Sequence, residues 1–119
     1  MLFIRNLQAS ERHALGDRGE VIPLVDPAHG SGQVDVHINV LRAGGPPGRV
    51  HYHPANENIY VVLQGAGRFV AEDREYRLRR DDVVFIPPGT RHSLSATADE
   101  GLTLLEIFAP TPVETIFLD

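Results

Sequence analysis

Three histidines occur at a spacing that can do chemistry. His51 and His53 lie two residues apart, directly after the loop Gly44-Gly45-Pro46-Pro47-Gly48. In a strand, residues two apart project to the same side, about 6–7 Å apart along the chain. Both imidazoles can then converge on one point. Glu57 follows His53 by four residues, across a Pro54-Ala55-Asn56 corner that can turn its carboxylate back. His92 comes after Pro87-Pro88-Gly89-Thr90-Arg91, where a Pro-Pro-Gly turn starts a new strand. Three imidazoles and one carboxylate make a mixed nitrogen and oxygen shell, suited to a divalent transition metal: Fe, Mn, Zn, Ni, Cu or Co. Taken singly, each fragment has a plainer meaning. A surface His-x-His is usually solvated, and a histidine after a Pro-Gly turn is usually held by its loop.

The composition limits the alternatives. The chain of 119 residues has no cysteine, which removes disulfides, thiolate metal sites, iron–sulfur clusters and cysteine nucleophiles. Sixteen acidic residues against eleven Lys and Arg argue against a nucleic-acid partner or an anionic membrane surface. No apolar run approaches the roughly 20 residues that span a bilayer. With no export signal in the first ten residues, a cytoplasmic location is expected. Ser93 adjoins His92, but neighbours in a strand face opposite sides, so a Ser–His pair fails. No Gly-x-Ser-x-Gly elbow is present, and the glycines at 44–48 precede no helix, so a dinucleotide loop fails as well.

The elements that must position these histidines read as short strands. Gly, Pro and Asp/Asn punctuation divides the chain, and no stretch of twelve residues carries a helical stripe. Strands are predicted over 2–7, 21–24, 34–41, 50–53, 59–63, 68–71, 75–78, 83–86, 93–95, 102–108 and 113–117. A single short helical turn is predicted at 11–16, with Ser10 as its cap. Gly65-Ala66-Gly67, Glu72-Asp73-Arg74, Pro87-Pro88-Gly89 and Asp99-Glu100-Gly101 are predicted turns. Within 34–41, Val34, Val36, Ile38 and Val40 share one face, and Asp35, His37 and Asn39 share the other. Many short strands with little helix point to an all-β sandwich or barrel in one domain spanning 1–119.

The two histidine-bearing segments resemble the two motifs of the cupin superfamily. The first motif is a Gly, five residues, His-x-His, three or four residues, Glu, six residues and Gly. It reads here as Gly45, His51, His53, Glu57 and Gly65, over 45–65. The second is a Gly, five residues, Pro-x-Gly, two residues, His, three residues and Asn. It reads here as Asp81, Pro87, Gly89, His92 and Ala96, over 81–96. Fifteen residues, 66–80, separate them, as in small single-domain members. Three positions depart from the pattern. Asp81 stands for Gly, Ala96 stands for Asn, and seven residues rather than six separate Glu57 from Gly65. A gap-free register puts Asn58 in the glutamate slot. The charge of Glu57 offsets that of a divalent ion, so His51, His53, Glu57 and His92 are the expected ligands, with Asn58 as the alternative to Glu57.

The resemblance implies an antiparallel double-stranded β-helix, or jelly-roll barrel, and a homodimer. The apolar terminal segments 2–7 and 113–118 are the expected dimer interface. Arg49, on the same side as His51 and His53, is either a clamp for a substrate anion or a rim arginine paired with an acid. Tyr60 reaches the pocket or fills core. His37 and Asn39 line the cavity mouth or face solvent, the latter preferred. Glu106 supports a ligand histidine or, preferred, faces outward. The resemblance implies a metal-dependent enzyme acting on a small organic substrate, an oxygenase or lyase first. A sugar or sugar-phosphate isomerase or epimerase is the alternative, and a non-catalytic small-molecule binding module the third reading.

Overall fold

In a computed structural model that describes residues 2–118, the chain folds into two curled antiparallel sheets. Ten strands follow in order: β1 (His13–Ala14), β2 (Gly19–Val25), β3 (Asp35–Leu41), β4 (His51–Tyr52) and β5 (Glu57–Ala71). Then come β6 (Arg74–Arg79), β7 (Val83–Ile86), β8 (His92–Ala96), β9 (Leu102–Ala109) and β10 (Ile116–Phe117). One sheet runs β1-β2-β3-β9-β5-β7 and the other β10-β4-β8-β5-β6. This is the double-stranded β-helix expected from the motifs.

The sheets share β5. Its first part pairs with β9 and β7, and its last part with β6 and β8. The register slips between Val62 and Gln64, which bends the strand from one sheet into the other. Gly65-Ala66-Gly67, predicted as a turn, lies inside this 15-residue strand instead. The glycine is needed for approach rather than reversal. Gly65 has φ +85°, and a Cβ there would overlap the Gly101 carbonyl oxygen. Glu72-Asp73 does reverse the chain, with φ of 48° and 67°, as a two-residue hairpin loop requires.

The termini differ from expectation. Residues 2–6 carry no strand, and a 3-10 turn follows at Leu7–Ala9. Ser10 closes that turn rather than capping a helix, and 11–16 contains β1 instead of the predicted helical turn. At the other end only Ile116–Phe117 pairs, against β4.

The core lies between the sheets: Leu41, Tyr60, Val62, Phe69, Leu78, Ile86, Leu94, Leu102 and Leu104. Leu104 is fully buried, so its truncation to Ala costs roughly 2–5 kcal/mol. Alternation sets what faces inward. In β5, Asn58, Tyr60 and Val62 are buried, with the less buried Ile59 and Val61 between them. In β9 the inward set is Leu102, Leu104, Glu106 and Phe108. Among the described residues no helix is long and apolar enough to cross a membrane.

Candidate metal centre and its cavity

The structure brings His51, His53 and His92 together. His51 in β4 is directly opposite His92 in β8, and His53 follows two residues on. Ring centroids lie 4.4 Å apart for His51–His92, 5.0 Å for His51–His53 and 5.5 Å for His53–His92. One ring nitrogen from each comes within 4.8 Å of the others.

Hydrogen bonds fix the tautomers. His51 Nδ1 donates to Arg49 O at 2.8 Å, His92 Nδ1 to Thr90 O at 2.8 Å, and His53 Nδ1 to Glu114 O at 2.9 Å. A carbonyl only accepts, so each Nδ1 carries the proton and each neutral ring presents Nε2 as a lone pair. Nε2 of His53 and of His92 is buried and has no partner among the described residues. A buried acceptor left unpaired costs about 1–3 kcal/mol. Two of them beside a third imidazole fit a cation, and three nitrogens leave further positions open to oxygen donors. Burial first, and then the neighbouring imidazoles, lowers the His92 pKa to about 4, against a backbone bond to Thr90 that raises it. His53 is lowered as well, chiefly by burial. Both rings are therefore neutral at pH 7, the form that binds metal.

A buried asparagine sets the position of His53. Asn56 donates to Pro110 O and, at 3.1 Å, to Pro112 O, and accepts from Glu114 N at 3.1 Å. These bonds hold the segment whose Glu114 carbonyl meets His53. Thr115 Oγ1 lies 3.2 Å from the same ring nitrogen.

Glu57 does not join the histidines. Its side chain is exposed, while Asn58 is fully buried. Strand parity is the reason: the extra residue before Gly65 turns Asn58, not Glu57, toward the interior. Asn58 donates to Glu106 Oε2 at 3.0 Å and to Ile107 O at 3.2 Å.

A cavity of about 630 Å³ opens at His51 and His53, with His92 behind its wall rather than lining it. His51, His53, Thr115 and Phe117 line one part of it, and His37, Asn39, Glu106 and Tyr60 another. Glu106 therefore faces inward, as do His37 and Asn39, against the preferred solvent-facing readings. Glu106 accepts from His37 Nε2 at 2.8 Å and from Asn39 at 2.7 Å, and His37 Nδ1 lies 3.2 Å from Asp35. Burial opposes charge on both partners but is outweighed. Glu106 and Asp35 raise the His37 pKa, and His37, Asn58 and Asn39 lower that of Glu106. Tyr60 is both core and cavity wall. Arg49 is exposed, and its guanidinium lies 4.1 Å from the centroid of the Phe117 ring, at the histidine end of the cavity. The sequence reading missed Arg18, which reaches the same cavity from the β1–β2 turn.

This fold and histidine cluster define a small barrel with a candidate metal centre. The Cupin domain family matches residues 37–108, more than half of the chain, and the protein belongs to that family. An uncharacterized protein of Methanocaldococcus jannaschii is 29% identical over 56 residues, 47% of this chain and 45% of that protein. The oxalate decarboxylase of Lactobacillus farciminis, solved as a formate complex, superposes with a TM-score of 0.79 at 23% identity, over 93% of this chain and 34% of the decarboxylase. The polyketide cyclase RemF of Streptomyces resistomycificus superposes with a TM-score of 0.83 at 20% identity, over 100% of this chain and 88% of the cyclase. The chain thus spans less than half the length of the first two of these proteins.

Proposed function

We propose that this protein is a metal-dependent cupin that acts on a small organic substrate by oxygenase or lyase chemistry. The observation that carries the reading is the convergence of three imidazoles, each locked by its Nδ1 to a backbone carbonyl, at the end of a cavity large enough for a small molecule. His51, His53 and His92 would hold the ion. A bound divalent metal would supply Lewis acidity toward a substrate oxygen, or an attachment point for O2. The chain's own contributions are separate from the ion. Phe108, Phe117 and Val113 give the cavity wall apolar surface, and the His37–Glu106 pair can hold or move a proton beside the substrate. A decarboxylase and a cyclase both occur on this fold, so the fold does not choose the reaction. The choice of oxygenase or lyase rests on the imidazole set and the partly apolar cavity beside it.

Metal analysis of protein purified without added metal, then an oxygen-uptake screen over small acids and phenols, tests the reading. Stoichiometric iron or manganese with substrate-dependent uptake, or carbon dioxide release, is expected. Failure to bind any of the six metals after reconstitution overturns it.

One observation favours the isomerase or epimerase alternative. Sequence reading found no base beyond the metal ligands, and the cavity supplies one in the His37–Glu106 pair. Exchange of a sugar-phosphate carbon-bound proton with solvent deuterium, followed by NMR, would identify that activity. Homodimer formation is part of the proposal. Val83 and Phe85, 68% and 55% exposed, add apolar surface on β7 to that of the termini, and light scattering should give twice the 13.1 kDa chain mass.

A further inference from the structure

Arg18 is a cation in the cavity wall with no acid to balance it. Its backbone is fixed by bonds from Arg18 N to Leu15 O at 3.1 Å and from Arg42 N to Arg18 O at 2.9 Å. Its Nη2 donates to Leu94 O at 3.2 Å, and its Nε is buried with no partner. Among the described residues it forms no ion pair. The carboxylates that line the same cavity are already engaged: Asp26 with His29 at 2.7 Å, Asp35 and Glu106 with His37. The guanidinium packs on Gly48, where a Cβ would lie 2.8 Å from Nη2. Tyr60 lines the same cavity; it is buried, its hydroxyl has no hydrogen bond among the described residues, and the Arg18 charge acts on it. Burial, and then the charge of Glu106, keeps that hydroxyl protonated, hence a donor. Arg18 is partly buried, and its buried, unpaired Nε is costly unless something accepts from it.

We propose that Arg18 and Tyr60 form an anion subsite that receives the carboxylate of a small organic acid with an apolar body. The subsite deepens the proposed function by naming the substrate class, and it rests on that reading for its role in turnover but not for binding. A carboxylate matches the planar guanidinium fork with the phenol as a third donor. The neighbouring wall of Leu15, Leu41, Leu94 and Phe108 suits the apolar body.

The test uses benzoate as probe, with benzamide as its neutral counterpart and inorganic phosphate as the other anion. Each is titrated calorimetrically into the full chain, as isolated and after chelation. Benzoate should bind in both states and benzamide in neither. Arg18→Gln should weaken benzoate by about tenfold or more, with Arg18→Lys and Tyr60→Phe losing less. Binding that persists after chelation upholds the subsite even where the metal reading fails. Benzoate binding that needs the metal and ignores Arg18→Gln overturns the subsite and leaves the metal reading intact. Absence of benzoate binding, or tighter binding of phosphate, overturns it too. If Arg18→Gln does not fold, Tyr60→Phe and Gly48→Ala decide: unchanged affinity in both overturns the proposal.

Discussion

Asn58 donates its side-chain amide to Glu106 Oε2 at 3.0 Å, inside the barrel, while Glu57 beside it in β5 faces solvent. The pairing puts a carboxylate near the histidines from a strand 49 residues further on, not from the motif position (57 against 106). Exposed in this way, Glu57 is expected to lie outside the ligand set. Glu57→Gln should therefore retain the wild-type metal content, measured by elemental analysis after reconstitution and desalting. His92→Ala should weaken metal by about 100-fold or more, since even loss of a partner behind a ligand costs 10–100-fold. Metal loss in Glu57→Gln equal to that in His92→Ala would restore Glu57 as a ligand.

Why this was hidden in the sequence follows from the period of a strand. One residue of register flips every side chain to the other face. The seven residues between Glu57 and Gly65 leave the parity of the corner open, and pairing of Asn58 with Phe108 and Tyr60 with Glu106 decides it. The same pairing turns Glu106 inward. A charge within Leu104-Leu105-Glu106-Ile107-Phe108 looks outward-facing until β3 supplies His37 and Asn39 opposite it. The His-x-His strand, the Pro-Pro-Gly turn and most strand positions were legible, because they depend on local chemistry and alternation. Strand β7 falls at Val83–Ile86, as predicted. The long β5 was not legible, since its glycines read locally as a turn and only the close passage of Gly101 explains them. Arg18 was invisible for a related reason: its role exists only once the β1–β2 turn meets Gly48 and Leu94.

Acid should act on the histidine cluster before a bound metal is considered. The folded His92 pKa is about 4, below the 6.5 of an unperturbed ring, so between these values the unfolded chain binds a proton that the folded chain refuses. Stability of chelated protein must then fall as pH drops from about 6.5 toward 4, and this contribution is flat above that window. The upper limit for His92 is about 3 kcal/mol. Urea unfolding of chelated wild type and His92→Gln at pH 7.5, 6, 5 and 4.5 isolates the contribution. Parallel curves for the two proteins would show that His92 is not held neutral by the fold. With metal bound the acid dependence should steepen, because protons and metal compete for the same nitrogens.

Asn56 should behave as the anchor of the segment that sets His53. It is 2% exposed and bonds to Pro110 O, Pro112 O and Glu114 N at once. Asn56→Ala leaves Pro110 O, Pro112 O and Glu114 N, all on exposed residues, without this partner, at about 1–3 kcal/mol for each that water does not reach. The expected result is a drop of about 1–3 kcal/mol in unfolding free energy, together with metal binding weakened by about tenfold through loss of the His53–Glu114 bond. Asn56→Asp keeps the acceptor for Glu114 N but loses the two donated bonds, and should fall between. Destabilisation without any change in metal affinity would separate the clamp from the site.

The His37–Glu106 pair makes the opposite pH signature from His92, and the two can be read apart. His37 is raised despite its burial, because the hydrogen bond and charge of Glu106, and then of Asp35, favour the imidazolium. A raised folded pKa means that the stability from His37 is full below 6.5 and is lost as pH climbs through the folded value. Glu106 is lowered despite its burial, by His37 first and by Asn58 and Asn39 next, so its share is present above about 4.5 and is lost as pH falls through its folded value. Glu106→Gln removes the main charge facing His37, leaving burial to pull its pKa down. The His37 ring signals, followed by NMR, should titrate above 6.5 in the wild type and clearly lower in Glu106→Gln. The variant should also lose about 3 kcal/mol or more, the cost of breaking a buried ion pair from one side. A His37 titration that does not move would mean that the pair is a neutral hydrogen bond. It would then be no proton reservoir for the cavity, and the isomerase alternative would lose the one feature that favours it.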